Sequence, residues 1–303
     1  MGRADQDDLS MSLQEAVARA IARATGTAFL LEDRTSVAGG CINNTEVLSG
    51  QGRRYFVKFN DAARLAMFEA EAQGLAEIAQ SNSVRVPQPI CCGTHDKQSY
   101  LVLEYLDIGS STIASDELLG RQLAGMHRCT HQQFGWRRDN TIGSTTQINA
   151  QKTDWITFYR EHRLRFQLEL AVENGYTSLQ QEAEELLDKL PAFFADYRPR
   201  PSLLHGDLWG GNHAALRDGT PVIFDPAPYY GDREADLAMT ELFGGFGARF
   251  HAAYRETWPL DDGYRVRKDL YNLYHVLNHL NLFGGGYRGQ AQDLIERLIS
   301  EAS

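Results

Sequence analysis

The sequence predicts an α+β fold of two lobes: a small β-rich N-terminal lobe with one key helix, and a larger, mostly helical C-terminal lobe. Three observations predict this. Apolar runs of strand composition, such as Arg53-Arg-Tyr-Phe-Val-Lys-Phe59 and Ser99-Tyr-Leu-Val-Leu-Glu-Tyr-Leu-Asp107, dominate the chain up to Tyr105. From Asp107 the pattern turns helical, with long stretches near Ser115–His131, Asp154–Asn174, Ser178–Phe194, Tyr264–Leu282 and Ala291–Ile299. The 303 residues, 43% hydrophobic and 23% charged, are enough to bury two cores. The lobe boundary is placed near Leu106, giving lobes 1–106 and 107–303, with no repeat, low-complexity segment or Pro/Gly-rich linker.

Each element has a local reason. Ser12-Leu-Gln-Glu15 has the form of a capping box, and Leu13, Val17, Ala20, Ile21 and Ala24 make an apolar stripe ending before Gly26, so a helix is expected to lead. The paired glycines of Ala38-Gly39-Gly40-Cys41-Ile-Asn-Asn-Thr45 permit the backbone angles of a hairpin. The strand Arg53–Phe59 follows, then a helix over Ala62–Gln80. Val222–Phe224 is a short apolar run after the turn-like Arg217-Asp-Gly-Thr220, which puts Asp225 at a strand end. Asp236 precedes the helix-compatible run Leu237–Leu242 and reads as its N-cap.

The richest chemistry lies in Leu203-Leu-His-Gly-Asp-Leu-Trp-Gly-Gly-Asn-His213 followed by Pro221–Asp225. His205, Asp207 and Asn212 match the H-x-D-x-x-x-x-N spacing of a kinase catalytic loop. Phosphoryl transfer needs a nucleophile held in line, magnesium across the phosphates and few other protein groups. Asp207 is the residue to orient and deprotonate a substrate hydroxyl, while Asn212 and Asp225 offer the hard oxygens that Mg2+ prefers. His205 reads as a brace. Acids capping loop turns are the blander alternative, which the joint spacing disfavours.

A kinase also needs an anchor for ATP. Lys58 stands on its strand in the position of the lysine that contacts nucleotide phosphates, and Gly39 and Gly40 supply a phosphate-covering turn, though that stretch matches neither common glycine-rich motif. Of the two helix glutamates that could pair with Lys58, Glu71 is preferred over Glu69, because Phe68, Leu75 and Ile78 share its face. Glu104, Tyr105 and Leu106 close an apolar strand and are expected to meet the adenine edge.

These segments, together with Gly39–Thr45, Leu204–Trp209, Phe224-Asp-Pro-Ala227, Tyr274–Phe283 and above all Tyr229-Tyr-Gly-Asp-Arg-Glu-Ala-Asp-Leu-Ala-Met-Thr-Glu-Leu-Phe-Gly-Gly-Phe246, resemble the fructosamine-3-kinase (ketosamine-3-kinase) family. That family is related to aminoglycoside phosphotransferases and choline kinases within the protein-kinase-like fold. The resemblance implies an ATP- and Mg2+-dependent enzyme that phosphorylates the 3-hydroxyl of ketoamine adducts, after which the amine is freed, a deglycation activity. It carries Asp207 over as the catalytic acceptor, Lys58 as phosphate contact, Asn212 and Asp225 as magnesium ligands, and Glu104–Leu106 as the adenine hinge. One departure is that Gly210 stands where the family usually has serine, from which a change in loop flexibility is expected. Other small-molecule kinases, of aminoglycoside, choline or homoserine type, and a catalytically silent scaffold are the competing functions. Retention of Lys58, Asp207, Asn212 and Asp225 speaks against the scaffold.

The charge-dense Gly231-Asp-Arg-Glu-Ala-Asp236 reads chiefly as an ion-pair network bracing the catalytic loop, with Asp232 and Glu234 as alternative polyol contacts. Trp209 and the Tyr271–His279 aromatics could stack on a sugar, although such spacing is more often core. Cys41 lies in the nucleotide turn, where exposure and nearby amides favour oxidation or an intermolecular disulfide. Cys91, Cys92 and Cys129 read as buried small hydrophobes, with no zinc spacing. A net charge of −10 argues against nucleic acid as a partner, and no apolar run approaches the roughly 18 residues that span a bilayer, so a cytoplasmic protein is expected.

Overall fold

A computed structural model describes residues 11–37 and 42–302, and within it the chain divides into two compact units. Gly39, Gly40 and Cys41 lie outside the described residues. The first unit runs to Ala79 and resumes over Val86–Ile108, while Gln80–Arg85 and the chain from Gly109 form the second.

Helix α1 (Leu13–Thr25) opens the first unit. Its capping box is formed, with the Ser12 amide donating to Glu15 Oε2 at 2.9 Å and the Glu15 amide to Ser12 Oγ at 3.3 Å, and Gly26 ends it at φ +68°. Strands β1 (Asp33–Ser36), β2 (Asn44–Gly50), β3 (Arg53–Asp61), β4 (Pro89–His95) and β5 (Gln98–Glu104) form one antiparallel sheet in the order β1-β2-β3-β5-β4. The β2–β3 turn has positive φ at both Gln51 and Gly52, the geometry that suits the twist of a hairpin. Val17, Ile21, Phe29, Leu48, Val57 and Val102 make the core of α1 against the sheet. Ala24, at the end of the expected stripe, is exposed. A 3₁₀ turn at Ala62–Arg64 leads into α2 (Leu65–Gln80), which buries Phe68, Leu75 and Ile78.

The second unit contains α3 (Ile113–His127), hairpin strands β6 (Asn140–Ile142) and β7 (Thr145–Gln147), then α4 (Trp155–Tyr159) and α5 (Phe166–Glu173). The single helix expected over 154–174 is interrupted between α4 and α5 by a π turn at Arg160–Arg165. There the fully buried Arg163 donates to Ile148 O at 2.6 Å and Asn149 Oδ1 at 2.7 Å, with its guanidinium 4.0 Å from the Tyr229 ring. Helix α6 (Gln180–Lys189) carries 3₁₀ flanks. Short strands β8 (Ser202–Leu204), β9 (His213–Ala215), β10 (Pro221–Ile223) and β11 (Tyr229–Gly231) pair as β8–β11 and β9–β10. Helices α7 (Glu234–Leu242), α8 (Ala248–Thr257), α9 (Tyr264–Phe283) and α10 (Arg288–Glu301) complete the chain.

Helix α8, absent from the sequence reading, packs on α3, where a Cβ on Gly120 would meet the Phe250 carbonyl oxygen at 2.3 Å. The Tyr271–His279 segment is core: Tyr271, Leu273, Tyr274, His275 and Val276 are all buried in α9. The three described cysteines correct an expectation. Cys91, Cys92 and Cys129 are only half-buried, because Cys91 and Cys92 lie on the edge strand β4 and Cys129 in the loop after α3. No helix among the described residues is long and apolar enough to cross a membrane.

Candidate active site

In the first unit, β3 carries Lys58 toward α2, where its Nζ lies 2.7 Å from Glu71 Oε1. The pair is nearly dry, with side-chain exposures of 4% and 11%, so each charge fixes the other. Downstream, the Glu104 amide donates to Gln88 O at 2.8 Å, and its carboxylate accepts from the Gln88 amide at 3.1 Å. Tyr105 lies under the Arg54 guanidinium at 4.0 Å, and Leu106 is half-buried.

In the second unit, β8 ends at Leu204 and the chain turns through His205-Gly206-Asp207. Gly206 has φ +83°, and a Cβ there would lie 2.0 Å from Ala227 O, so only glycine fits. The Asp207 amide donates to His205 Nδ1 at 3.3 Å, which leaves the proton on Nε2 to donate to Phe224 O at 2.9 Å. Burial holds His205 below its ordinary pKa, in keeping with that neutral ring. Asn212 Nδ2 donates to Asp207 O at 2.8 Å, and the Phe224 amide donates to Asn212 O at 3.0 Å. Asp225 follows at φ +57°, a left-handed conformation uncommon outside glycine that aspartate tolerates better than most residues. Asp207 is half-buried, Asn212 buried and Asp225 exposed. Burial first, then the charges of Asp225 and Asp236, push the Asp207 carboxyl up to about 7, against the Asn212 hydrogen bond.

Asp236 does the bracing expected of the Gly231–Asp236 segment, but not the N-capping also read for it. It lies inside α7 and is not its N-cap, since the helix begins at Glu234. Its carboxylate takes the backbone amides of His205 at 2.7 Å and Gly206 at 2.8 Å, and His127 Nε2 at 3.1 Å. Burial works to raise its pKa, but the His127 hydrogen bond and charge and the loop amide hold it below the ordinary range. His127, in turn hydrogen-bonded to the Tyr254 hydroxyl at 2.8 Å, gave no sequence signal beyond a histidine near a helix end.

Asp232 and Glu234 correct the polyol alternative. Both are fully buried. Asp232 accepts from the hydroxyls of Tyr197 and Tyr271, and Glu234 is gripped by Arg267 at 2.7 and 3.0 Å, so their oxygens are spent inside the fold. Trp209 is 41% exposed beside the loop.

A fold with a lysine–glutamate pair in a β-rich unit, and an Asp, Asn and Asp on a braced loop in a helical one, defines a phosphotransferase of the kinase class. The fructosamine kinase family model matches residues 13–301. A probable ketoamine kinase of a Synechocystis species is 47% identical over 94% of this chain and 96% of its own. A chloroplastic protein-ribulosamine 3-kinase of Arabidopsis thaliana is 45% identical over 86% and 81%. A crystal structure from Haemophilus somnus, provisionally named a fructosamine-3-kinase, superposes with a TM-score of 0.87 at 29% identity over 93% and 96% of the two chains. The likeness extends, as fold alone, to an aminoglycoside phosphotransferase at TM-score 0.61, 14% identity and coverage of 94% and 99%. The chain belongs to the fructosamine kinase family, and it is a phosphotransferase with an alcohol group as acceptor.

Proposed function

We propose that this protein uses ATP and Mg2+ to phosphorylate the 3-hydroxyl of ketoamines, sugars joined to amines, so that the amine is afterwards released. The observation that supports the mechanism is the Asp207–Asn212–Asp225 frame, in which the Asn212 side-chain nitrogen holds Asp207 O and the Phe224 amide, next to Asp225, holds Asn212 O.

In this reading Asp207 orients the sugar hydroxyl and takes its proton, a role suited to a carboxyl whose pKa lies near neutrality. Asn212, whose nitrogen is committed to Asp207 O, would offer its amide oxygen to the metal, and the exposed Asp225 would add a carboxylate. Among the described residues no group of three or more His, Cys, Asp or Glu could hold a metal ion. Magnesium keeps waters and substrate phosphates in its shell, so two protein oxygens can suffice for it. When bound it would neutralise charge on the transferring phosphate. Lys58, steadied by Glu71, contacts the nucleotide phosphates, and Glu104, Tyr105 and Leu106 receive the adenine.

The ketoamine substrate is supported by the names of the Synechocystis and Arabidopsis relatives. We further propose a cytoplasmic location. The test is magnesium-dependent ADP release with fructosyl-lysine, ribulosyl-lysine, choline and kanamycin offered separately. Selective turnover of a ketoamine is expected. Turnover confined to choline or kanamycin would reassign the acceptor, and none with any acceptor would remove the proposal.

A further inference from the structure

We propose that the second unit carries a separate binding site for a small phosphate-bearing anion, in a cavity walled by Arg128, Arg198, Arg200, Arg233 and Trp258. The cavity holds about 420 Å³, within the range of small-molecule pockets. Four guanidiniums meet there although the chain as a whole carries a net charge of −10. Clustering like charges is unfavourable unless something neutralises them.

Among the described residues Glu234 partly offsets Arg233 at longer range, but no carboxylate pairs with any of the four. Arg128 donates to Thr257 O at 2.6 Å, Arg198 to Phe194 O at 2.6 Å, and Arg233 to Trp258 O at 3.1 Å and Pro259 O at 2.6 Å. These carbonyls fix the groups without cancelling their charge, and none of the four arginines forms an ion pair with a carboxylate of the described residues. The Arg200 side chain is exposed and has no hydrogen bond or ion pair with a described residue. The Arg233 guanidinium sits 4.0 Å over the Trp258 ring and that of Arg128 at 5.8 Å, which orients both forks.

Asp232 also borders the cavity and would oppose an anion if its charge faced inward. Both its oxygens are instead taken by the hydroxyls of Tyr197 and Tyr271, and burial raises its carboxyl toward the neutral form. A phosphate dianion, with several terminal oxygens, can engage more than one guanidinium fork at once, which a lone carboxylate does less completely. The cavity is also joined to the catalytic loop through the chain. Ser202, in its wall, opens β8 three residues before His205, and Arg233 immediately precedes α7, which carries Asp236.

The test titrates the full chain with inorganic pyrophosphate, followed by calorimetry and by tryptophan fluorescence. Saturable 1:1 binding is expected. Arg200→Glu should weaken it about tenfold or more, the scale of one charge-assisted contact reversed, while Lys58→Ala leaves it unchanged and Trp258→Phe removes the fluorescence response. Absence of saturable binding, equal binding by Arg200→Glu, or loss in Lys58→Ala instead would overturn the site. Malonate binding as tightly as pyrophosphate would overturn the phosphate assignment.

Discussion

The lysine of the first unit and the aspartate of the second are held by opposite means. Lys58 lies in the nine-residue strand β3, bonded on both sides by β2 and β5, and one salt bridge to α2 finishes its placement. Asp207 lies outside any helix or strand, after a three-residue strand, and owes its position to polar groups: the His205 ring, the Asn212 amide and the buried Asp236 carboxylate. Regular backbone tolerates the loss of one side chain, because its hydrogen bonds run from strand to strand. A loop held by buried charge does not, because removing the charge orphans several donors at once.

The sharpest way to break this contrast is Asp236→Ala, which strands the His205 and Gly206 amides and is expected to cost about 3–5 kcal/mol in urea denaturation. A loss below about 1 kcal/mol would mean the loop does not depend on it.

Next is an acid sensitivity confined to the second unit's core. His275 is buried in α9, its Nδ1 has no partner among the described residues, and burial lowers its pKa to about 3. The unfolded chain therefore takes up this proton first, so stability present above pH 6.5 is lost as pH falls toward 3. Between about pH 6.5 and 5, His275→Leu should remove up to about 1.4 kcal/mol per pH unit of that loss. Parallel profiles for the two proteins would contradict it.

Glu71→Gln should be milder for the fold, about 1–2 kcal/mol, because the glutamine oxygen can still accept from Lys58. Its larger sign is expected in kinetics, an ATP KM raised about tenfold, and an unchanged KM would detach the pair from the nucleotide. The smallest effect is expected at Gly210, where the resemblance led one to expect serine. A Cβ on Gly210 would lie 2.9 Å from Gly244 O and 3.0 Å from Gly245 Cα, so Gly210→Ser should lose about 1 kcal/mol by crowding. If it gained stability, the close approach of these two loops would be incidental.

The same division decides what could be read from the sequence. The capping box at Ser12, the strand carrying Lys58 and the choice of Glu71 were legible because they follow local rules of period and capping. The loop was legible as spacing, and its brace only as a segment: His205, Asp207 and Asn212 could be named and Gly231–Asp236 read as bracing them, yet nothing showed that Asp236 is the acid that does so or that His127 takes part, since these contacts join residues 31 and 109 apart. Helix α8 escaped because it is short, although Phe250, Ala253 and Tyr254 fall at helical spacing and are buried. The π turn was hidden because it relaxes helical geometry to seat the buried Arg163, a tertiary demand with no local pattern.

The most direct test of the account is ketoamine-dependent ADP release by Asp207→Asn beside the wild type, with nucleotide binding measured in parallel. The account predicts a fall in kcat on the order of 10² or more with ATP affinity largely kept. Turnover undiminished by the substitution would contradict it.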